Sequence, residues 1–149
     1  MLGILNDKQI DTLLYSQVIG RIGCHADNRT YIVPVTYVYD DGKILCHTRD
    51  GLKLEMMRKN PEVCFEVDQA QNMANWQSVI VWGTFEELSD EPAKEAMEKL
   101  IDRMKPFMTS ETSHPLEPGE SHERRETRGF TAIVYQIKVK EKTGRFEKR

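Results

Sequence analysis

The sequence predicts an α+β fold, mainly antiparallel β, in which six strands form a barrel with flanking helices. Most strand-like segments follow one another through tight turns, whereas a βαβ sheet would alternate strands with helices. The segment Thr30–Tyr39 is largely apolar on both of its faces, which suits a closed barrel with a further layer or a partner against it. Because so few strands leave apolar surface uncovered, we expect a homodimer.

Composition limits the classes of protein to which the chain can belong. Its 149 residues, 39% hydrophobic and 30% charged, predict one globular domain over residues 1–149. The net charge of −3 is spread along the chain, which argues against a nucleic-acid partner, because such a protein should show a basic face. We interpret the basic ending Lys138–Arg149 as a solvated end. No apolar run approaches the roughly 20 residues of a membrane span, and the N-terminus does not resemble a signal peptide. Three cysteines fit buried thiols in a reducing compartment, so we expect a cytoplasmic location.

The first half of the chain predicts one helix followed by three strands. The helix opens with a capping-box pattern and repeats apolar residues on one face. Pro34 lies in the second strand, and because proline cannot donate to a ladder, it belongs at an edge or an irregularity. Tight turns at Asp27–Asn28 and at residues 40–42 separate the strands. In chain order the segments are the helix Asn6–Ser16 and the strands Val18–Ala26, Thr30–Tyr39 and Lys43–His47.

The second half predicts two helices, three strands and two polar loops. A proline ends the short helix, and Ser89 or Asp90 caps the long one. The later loop is rich in Ser, Thr, Glu, Pro and Gly, a composition that predicts a long connection covering part of the surface. In chain order the segments are the helix Leu52–Asn60, the strand Val63–Val67, the loop Asp68–Trp76, the strand Val79–Glu87, the helix Ser89–Met108, the loop 109–128 and the strand Phe130–Val139.

Two cations lie where the third strand gives way to the short helix. Arg49 is in the turn and Lys53 in the first helical turn, where positive charge opposes the helix dipole. Their placement is favourable if the turn binds an anion, because backbone N–H groups, the Thr48 hydroxyl and both cations would then converge on a phosphate. The alternative interpretation is that both cations are solvated surface residues.

Other motifs are absent or have an ordinary structural interpretation. The sequence contains no Walker A, GxGxxG or GxSxG pattern, and its four histidines show no metal-ligand spacing. His114 and His122 fit a solvated loop better than a metal site. Core or interface packing is the default role for Trp76 and Trp82, with stacking on a ring ligand as the alternative.

Two segments, together with the opening helix and the closing strand, carry a family resemblance. They are IVPVTYVYDDGKILCHTRDGLKLEMMRKNPEVCFEV and, further on, WQSVIVWGTFEEL. In the order and spacing of these elements the chain resembles the pyridoxamine 5′-phosphate oxidase-like superfamily of FMN-binding split barrels, and within it the nitroimidazole-resistance branch. The resemblance implies a homodimer with FMN at the interface.

The resemblance also implies which residues bind the cofactor. The backbone of Val35, Thr36 and Tyr37, after Pro34, would face the flavin ring, and Ser78 at the head of a later strand would also reach the cofactor. Lys53 would bind the phosphate, with His47 and Thr48 at the end of the strand beside it. The oxidase carries an arginine where this sequence has Leu52, and Arg49 would compensate for it from the turn. The implied cofactor-binding residues are Pro34, Val35, Thr36, Tyr37, His47, Thr48, Arg49, Lys53 and Ser78.

The function that follows from the resemblance is an FMN-dependent oxidoreductase. Electrons from NAD(P)H would pass to a small acceptor such as a nitroaromatic, with His47 as the candidate catalytic proton donor. Pyridoxamine phosphate oxidation is not expected, because the substrate-phosphate residues of the true oxidase have no counterpart here. The alternatives are a non-catalytic flavin-binding or flavin-storage protein, a haem-binding or haem-degrading split barrel that uses His114 or His122, and a deazaflavin reductase.

Overall fold

A computed structural model describes residues 1–107 and 132–149 of the chain. These residues form eight strands, all paired antiparallel, and three α-helices, so the predicted α+β class is confirmed. None of the described helices is long and apolar enough to cross a membrane. The elements are β1 Leu2–Ile4, α1 Asp7–Ser16, β2 Ile19–Ala26, β3 Arg29–Thr36, β4 Val38–Asp40, β5 Lys43–Thr48, α2 Leu52–Lys59, β6 Glu62–Asn72, β7 Asn75–Glu87, α3 Asp90–Met104, the 3₁₀ turn Lys105–Phe107 and β8 Ile133–Glu147.

The order of the strands requires the sheet to curl into a barrel. The sheet runs β3-β2-β6-β7-β8-β5-β4, with β1 paired to β8. β3 and β4 are therefore at opposite ends of the sheet, yet Tyr37 alone separates them in the chain. In a flat sheet these two strands would lie on the order of 30 Å apart, which one residue cannot span. The two ends must meet, and the barrel stays open along the free side of β3.

The core of the barrel lies under α1. Tyr37 is fully buried, and its hydroxyl donates to the carbonyl of Leu14 at 2.6 Å. Its ring packs edge to face on Phe65 with the centroids 4.9 Å apart. A second, smaller cluster lies between α3 and the outer face of β5 and β8; its buried members are Leu45, Ala96, Met97, Leu100 and Val134.

Several local predictions are confirmed. The capping box of α1 is present, since Asn6 Oδ1 accepts from the Gln9 N–H and Gln9 Oε1 accepts from the Asn6 N–H, both at 2.9 Å. Both hairpin turns have left-handed backbone, at Asp27–Asn28 and at Asp41–Gly42, as two-residue turns between twisted strands require. Pro34 lies on β3, an edge strand, as predicted.

Other predictions are wrong in extent. Thr30–Tyr39 is not one strand: the chain leaves β3 at Thr36 and joins β4 at Val38, because the segment passes from one end of the sheet to the other. Asp68–Trp76 is not a loop: it forms the end of β6 and the start of β7, with a bulge between Ala70 and Asn72. Ladder hydrogen bonds compensate there for the polar composition.

The strand count also differs from the predicted six. β1 was missed because three residues give no periodic signal, and β4 was counted within the preceding strand. The basic ending, interpreted as solvated, instead continues β8 to Glu147 and pairs with β7. The predicted loop 109–128 lies outside the described residues, and the single-domain prediction stays a prediction.

The stability of the barrel should depend on the lack of a side chain at Gly20. A Cβ at that position would lie 2.2 Å from Cζ of Phe65, which is itself packed on Tyr37. We expect Gly20→Ala to lower the free energy of unfolding by about 1–3 kcal/mol, measured by urea denaturation, because the Phe65 ring must move. Gly23→Ala in the same strand is the matched control, since the nearest atom to its Cβ would be at 3.7 Å. Equal effects of the two substitutions would contradict this explanation.

Candidate functional site

The turn between β5 and α2 forms the first part of the candidate site. Thr48 ends β5 and its hydroxyl donates to the Arg49 carbonyl at 3.1 Å. Gly51 is the N-cap of α2 and has no side chain, and no side chain in the described residues caps the helix. Leu52, the first residue of the helix, is 42% exposed. The N–H groups of the first helical turn are thus available to an anion.

Lys53 provides the charge at this turn. It is half-buried, and burial lowers the pKa of its ammonium, while charge on the nearby thiols of Cys46 and Cys24 would act in the opposite direction. Among residues 1–107 and 132–149, no carboxylate forms an ion pair with it. A partly desolvated cation at an uncapped helix N-terminus is the chemistry that a phosphate dianion fits.

The free side of β3 forms the second part. The Tyr37 N–H donates to the Val18 carbonyl at 3.1 Å, which makes these two residues a hydrogen-bonded pair of the β2–β3 ladder. Because such pairs alternate along an antiparallel ladder, the N–H and C=O of Thr36 point away from β2. The side chains of Val35 and Tyr37 are buried, so this segment presents backbone groups and the side chains of Pro34 and Thr36 to a ligand.

His47 and Thr48 lie on opposite faces of β5. Strand alternation puts Thr48 on the face of Cys46, close to Lys53, whereas exposed His47 shares the face of Leu45, which packs under α3. The backbone of His47 pairs with Val134. The His47 imidazole is therefore beside the turn but not on the Lys53 side of the strand.

Ser78 lies far from the β5–α2 turn within one chain, although the strand registers put it in the same cross-strand row as Thr36. It is on β7, opposite Asp68 of β6 and Arg145 of β8. Thr48 pairs with Ile133, at the other end of β8, on the order of 40 Å away along the strand. A single protomer does not bring Ser78 to the turn that holds Lys53.

The comparison with known protein families decides the affiliation of the chain. The family model of pyridoxamine 5′-phosphate oxidase matches residues 6–146. The chain belongs to this family. The family fold is the flavin-binding split barrel, which agrees with a curled sheet left open beside β3.

Two solved structures are similar to this chain in fold, and one further protein is similar in sequence. An FAD-binding protein from Mesorhizobium loti is 26% identical, with a TM-score of 0.76 and 98% of each chain covered. A candidate 5-nitroimidazole antibiotic resistance protein from Bacteroides thetaiotaomicron is 17% identical, with a TM-score of 0.73, over 98% of this chain and 87% of its own. An uncharacterised protein of Rhizobium meliloti (strain 1021) is 34% identical over 85 residues, which are 57% of this chain and 56% of that protein.

The outer face of β2, β3, β6 and β7 is a surface that the motif search missed. Thr36 and Ser78 both lie on it by strand alternation. At its centre Arg21 forms an ion pair with Asp68 at 3.4 Å. The sequence did indicate this surface, because Thr30–Tyr39 is apolar on both of its faces and neighbouring strands also carry apolar residues. The large apolar side chains exposed on it are Ile19 at 51%, Ile32 at 67% and Trp82 at 40%.

Glu66 is an acid within this outer face. It lies on β6 between Arg21 of β2 and Ile80 of β7, and its Oε1 is buried without a hydrogen-bond partner in the described part of the chain. The pKa of Glu66 is raised to about 7, first by burial, then by the hydrogen bond and charge of Asp68, and Arg21 offsets only part of this rise. The carboxyl is thus partly protonated at neutral pH.

Glu66 should make the stability of the protein depend on pH. In the unfolded chain its pKa is near 4.5, so the folded state binds the proton more tightly. Its contribution is complete below pH 4.5 and is lost as the pH rises through about 7. Between pH 5 and pH 8 the free energy of unfolding should therefore fall, and we expect it to fall by on the order of 1 kcal/mol less in Glu66→Gln. The difference is small because solvent screening weakens the interactions of a partly exposed group. Glu86→Gln on exposed β7 is the control, and an unchanged pH profile in Glu66→Gln would contradict the assignment.

Proposed function

We propose that the protein is an FMN-dependent oxidoreductase that passes electrons from NAD(P)H to a small acceptor such as a nitroaromatic. The observation that carries this proposal is Lys53, a half-buried cation at the uncapped N-terminus of α2, without a carboxylate partner among the described residues. Such a position favours a phosphate, and the family fold is one that binds flavin.

Four groups at the turn would hold the FMN phosphate. The Lys53 ammonium and the N–H groups of the first α2 turn supply charge-assisted hydrogen bonds, each of about 1.5–3 kcal/mol. Thr48 lies on the same face of β5 as Cys46, beside Lys53, and exposed Arg49 follows it in the turn. Arg49 takes the role of the arginine that Leu52 replaces.

The free side of β3 would hold the flavin ring. The N–H and C=O of Thr36 point out of the ladder, where they can bind the donor and acceptor groups of the pyrimidine edge. Pro34, Val35 and Tyr37 contribute backbone around this position and fix its course, since Tyr37 is anchored in the core. The bound FMN would supply the electron transfer, while the chain binds and orients it and excludes water from one side. We include His47, beside the turn on the other face of β5, as the proposed proton donor.

The homodimer belongs to the same proposal. The outer face exposes apolar side chains that a second copy would cover, and Thr36 and Ser78 lie on that face. Because Ser78 cannot reach the turn in its own chain, it would join the flavin site from the other copy. The three free thiols fit the expected cytoplasmic location.

FAD is the second candidate cofactor, because the Mesorhizobium loti relative is described as FAD-binding. FMN needs one phosphate site, and the turn provides one cluster of cations with Lys53 at its centre. Release of the cofactor by denaturation, followed by mass spectrometry, separates FMN from FAD.

Flavin binding should depend on Lys53. We expect Lys53→Met, which keeps the apolar stem, to weaken FMN binding by roughly 10- to 100-fold, because one or two charge-assisted bonds are lost. Flavin fluorescence during titration of the apoprotein measures this change. Lys59→Met on the same helix is the matched control: Lys59 is exposed and pairs with Asp27 at 2.5 Å, away from the N-terminus of α2. Full FMN affinity in Lys53→Met would show that the phosphate lies elsewhere.

The oxidoreductase activity needs a separate measurement. We expect anaerobic oxidation of NADH or NADPH by the FMN-loaded protein to require an added nitroaromatic, followed as loss of nicotinamide absorbance. The Lys53→Met variant at subsaturating FMN should lose this activity in proportion to its flavin content. A protein that binds FMN but oxidises neither nucleotide with any nitroaromatic would be a flavin carrier and not an enzyme of this class.

A further inference from the structure

The inner face of the β6–β7 hairpin changes abruptly from apolar to amide side chains. Up to Val67 on β6 and Val79 on β7, the inward side chains are buried in the core. Beyond that level strand alternation, together with the bulge in β6, leaves amide side chains at the inward positions of both strands, without a charge or an aliphatic chain among them. The four residues are Gln69, Gln71, Asn75 and Gln77.

These amides line a cleft of about 460 Å³ at one end of the barrel. Its floor is one cross-strand row, in which Gln77 lies opposite Gln69 on one side and Phe146 on the other. Leu5 and Gln9, at the start of α1, line the facing wall. Volumes of this size are typical of small-molecule sites.

The cleft is separate from the proposed flavin site within one chain. Phe146 lies near the end of β8, whereas the β5–α2 turn adjoins Ile133 at its start. A ligand in this cleft would not contact Lys53 of the same chain. A phosphate bound at the β5–α2 turn would therefore leave the cleft of the same chain unoccupied.

The hydrogen bond between two of the lining amides leaves both a donor and an acceptor unused. Gln77 Nε2 donates to Gln69 Oε1 at 3.2 Å. Within the described residues this leaves Gln77 Oε1 as an acceptor and Gln69 Nε2 as a donor, one on each of the two paired strands. The two charged residues of the lining, Glu147 and Lys148, are opposite in sign, and Glu147 accepts from the Trp76 indole N–H at 3.1 Å.

We propose that this cleft binds a small neutral molecule that carries a carboxamide or lactam group. Such a group presents one donor and one acceptor next to each other, the complement of the Gln69–Gln77 pair. The Phe146 ring supplies an apolar floor beside them. A carboxylate in the same position would place negative charge against the Gln77 carbonyl oxygen and lose its hydration, so the amide pair discriminates against acids.

Two probe molecules of the same shape test this proposal. Nicotinamide carries a carboxamide and nicotinate carries a carboxylate at the same position of the same ring. The side-chain NH₂ resonances of the ¹⁵N-labelled full-length chain, with its flavin site saturated by FMN, report binding at the amides. We expect nicotinamide to shift the resonances of Gln69 and Gln77 saturably, and nicotinate to bind at least about tenfold more weakly.

Variants establish whether the shifts arise in the cleft. The double variant Gln69→Leu with Gln77→Leu should lose saturable nicotinamide binding, followed through the Gln71 and Asn75 resonances, whereas Gln17→Leu, outside the cleft, should keep it. If the double variant does not fold, as judged by thermal unfolding, Gln71→Leu on the exposed arm takes its place and should weaken binding several-fold. Equal affinity for the two probes, no saturable shift, or binding that survives the cleft variants would overturn the proposal. The same resonances can be followed without FMN, and we expect the same shifts there. The outcome is therefore independent of the proposed function.

Discussion

The burial of Tyr37 holds the two ends of the sheet together. β3 and β4 end the sheet on opposite sides, and this one residue joins them, with its hydroxyl bonded to Leu14 and its ring against Phe65. The chain cannot make that connection unless the sheet curls around the core under α1. The barrel, its open side and the position of every strand end around that side depend on this constraint.

The candidate flavin site is a consequence of how the sheet closes. Incomplete closure leaves the outward backbone groups of Thr36 without a strand beside them in the described structure. The β5–α2 turn then adds a cation whose stem is partly buried. Neither part alone would be a site, since free edges and helix N-termini are common. Their chemistry matches the two ends of one molecule, a polar ring edge and a phosphate.

Predictions from sequence succeeded where the signal was local. The capping box at Asn6 and Gln9, the two hairpin turns and the edge position of Pro34 each depend on residues close together in the chain. The hairpin arm at 68–76 was missed, because ladder pairing overrides a polar composition and only the partner strand reveals it. Ser78 could be matched to a family position, but its distance from Lys53 depends on the path of β8 through the whole sheet.

Pro34 also protects the open side of the barrel from other molecules. An uncovered edge strand is a template for the strands of another chain, and exposed Ile32 beside it would strengthen such pairing. Backbone N–H and C=O groups alternate in direction along β3, so the position of Pro34 faces outward like that of Thr36. Proline has no N–H to donate there. An incoming strand would find a gap in the middle of its ladder. The protein thus keeps an open strand edge without becoming a seed for aggregation.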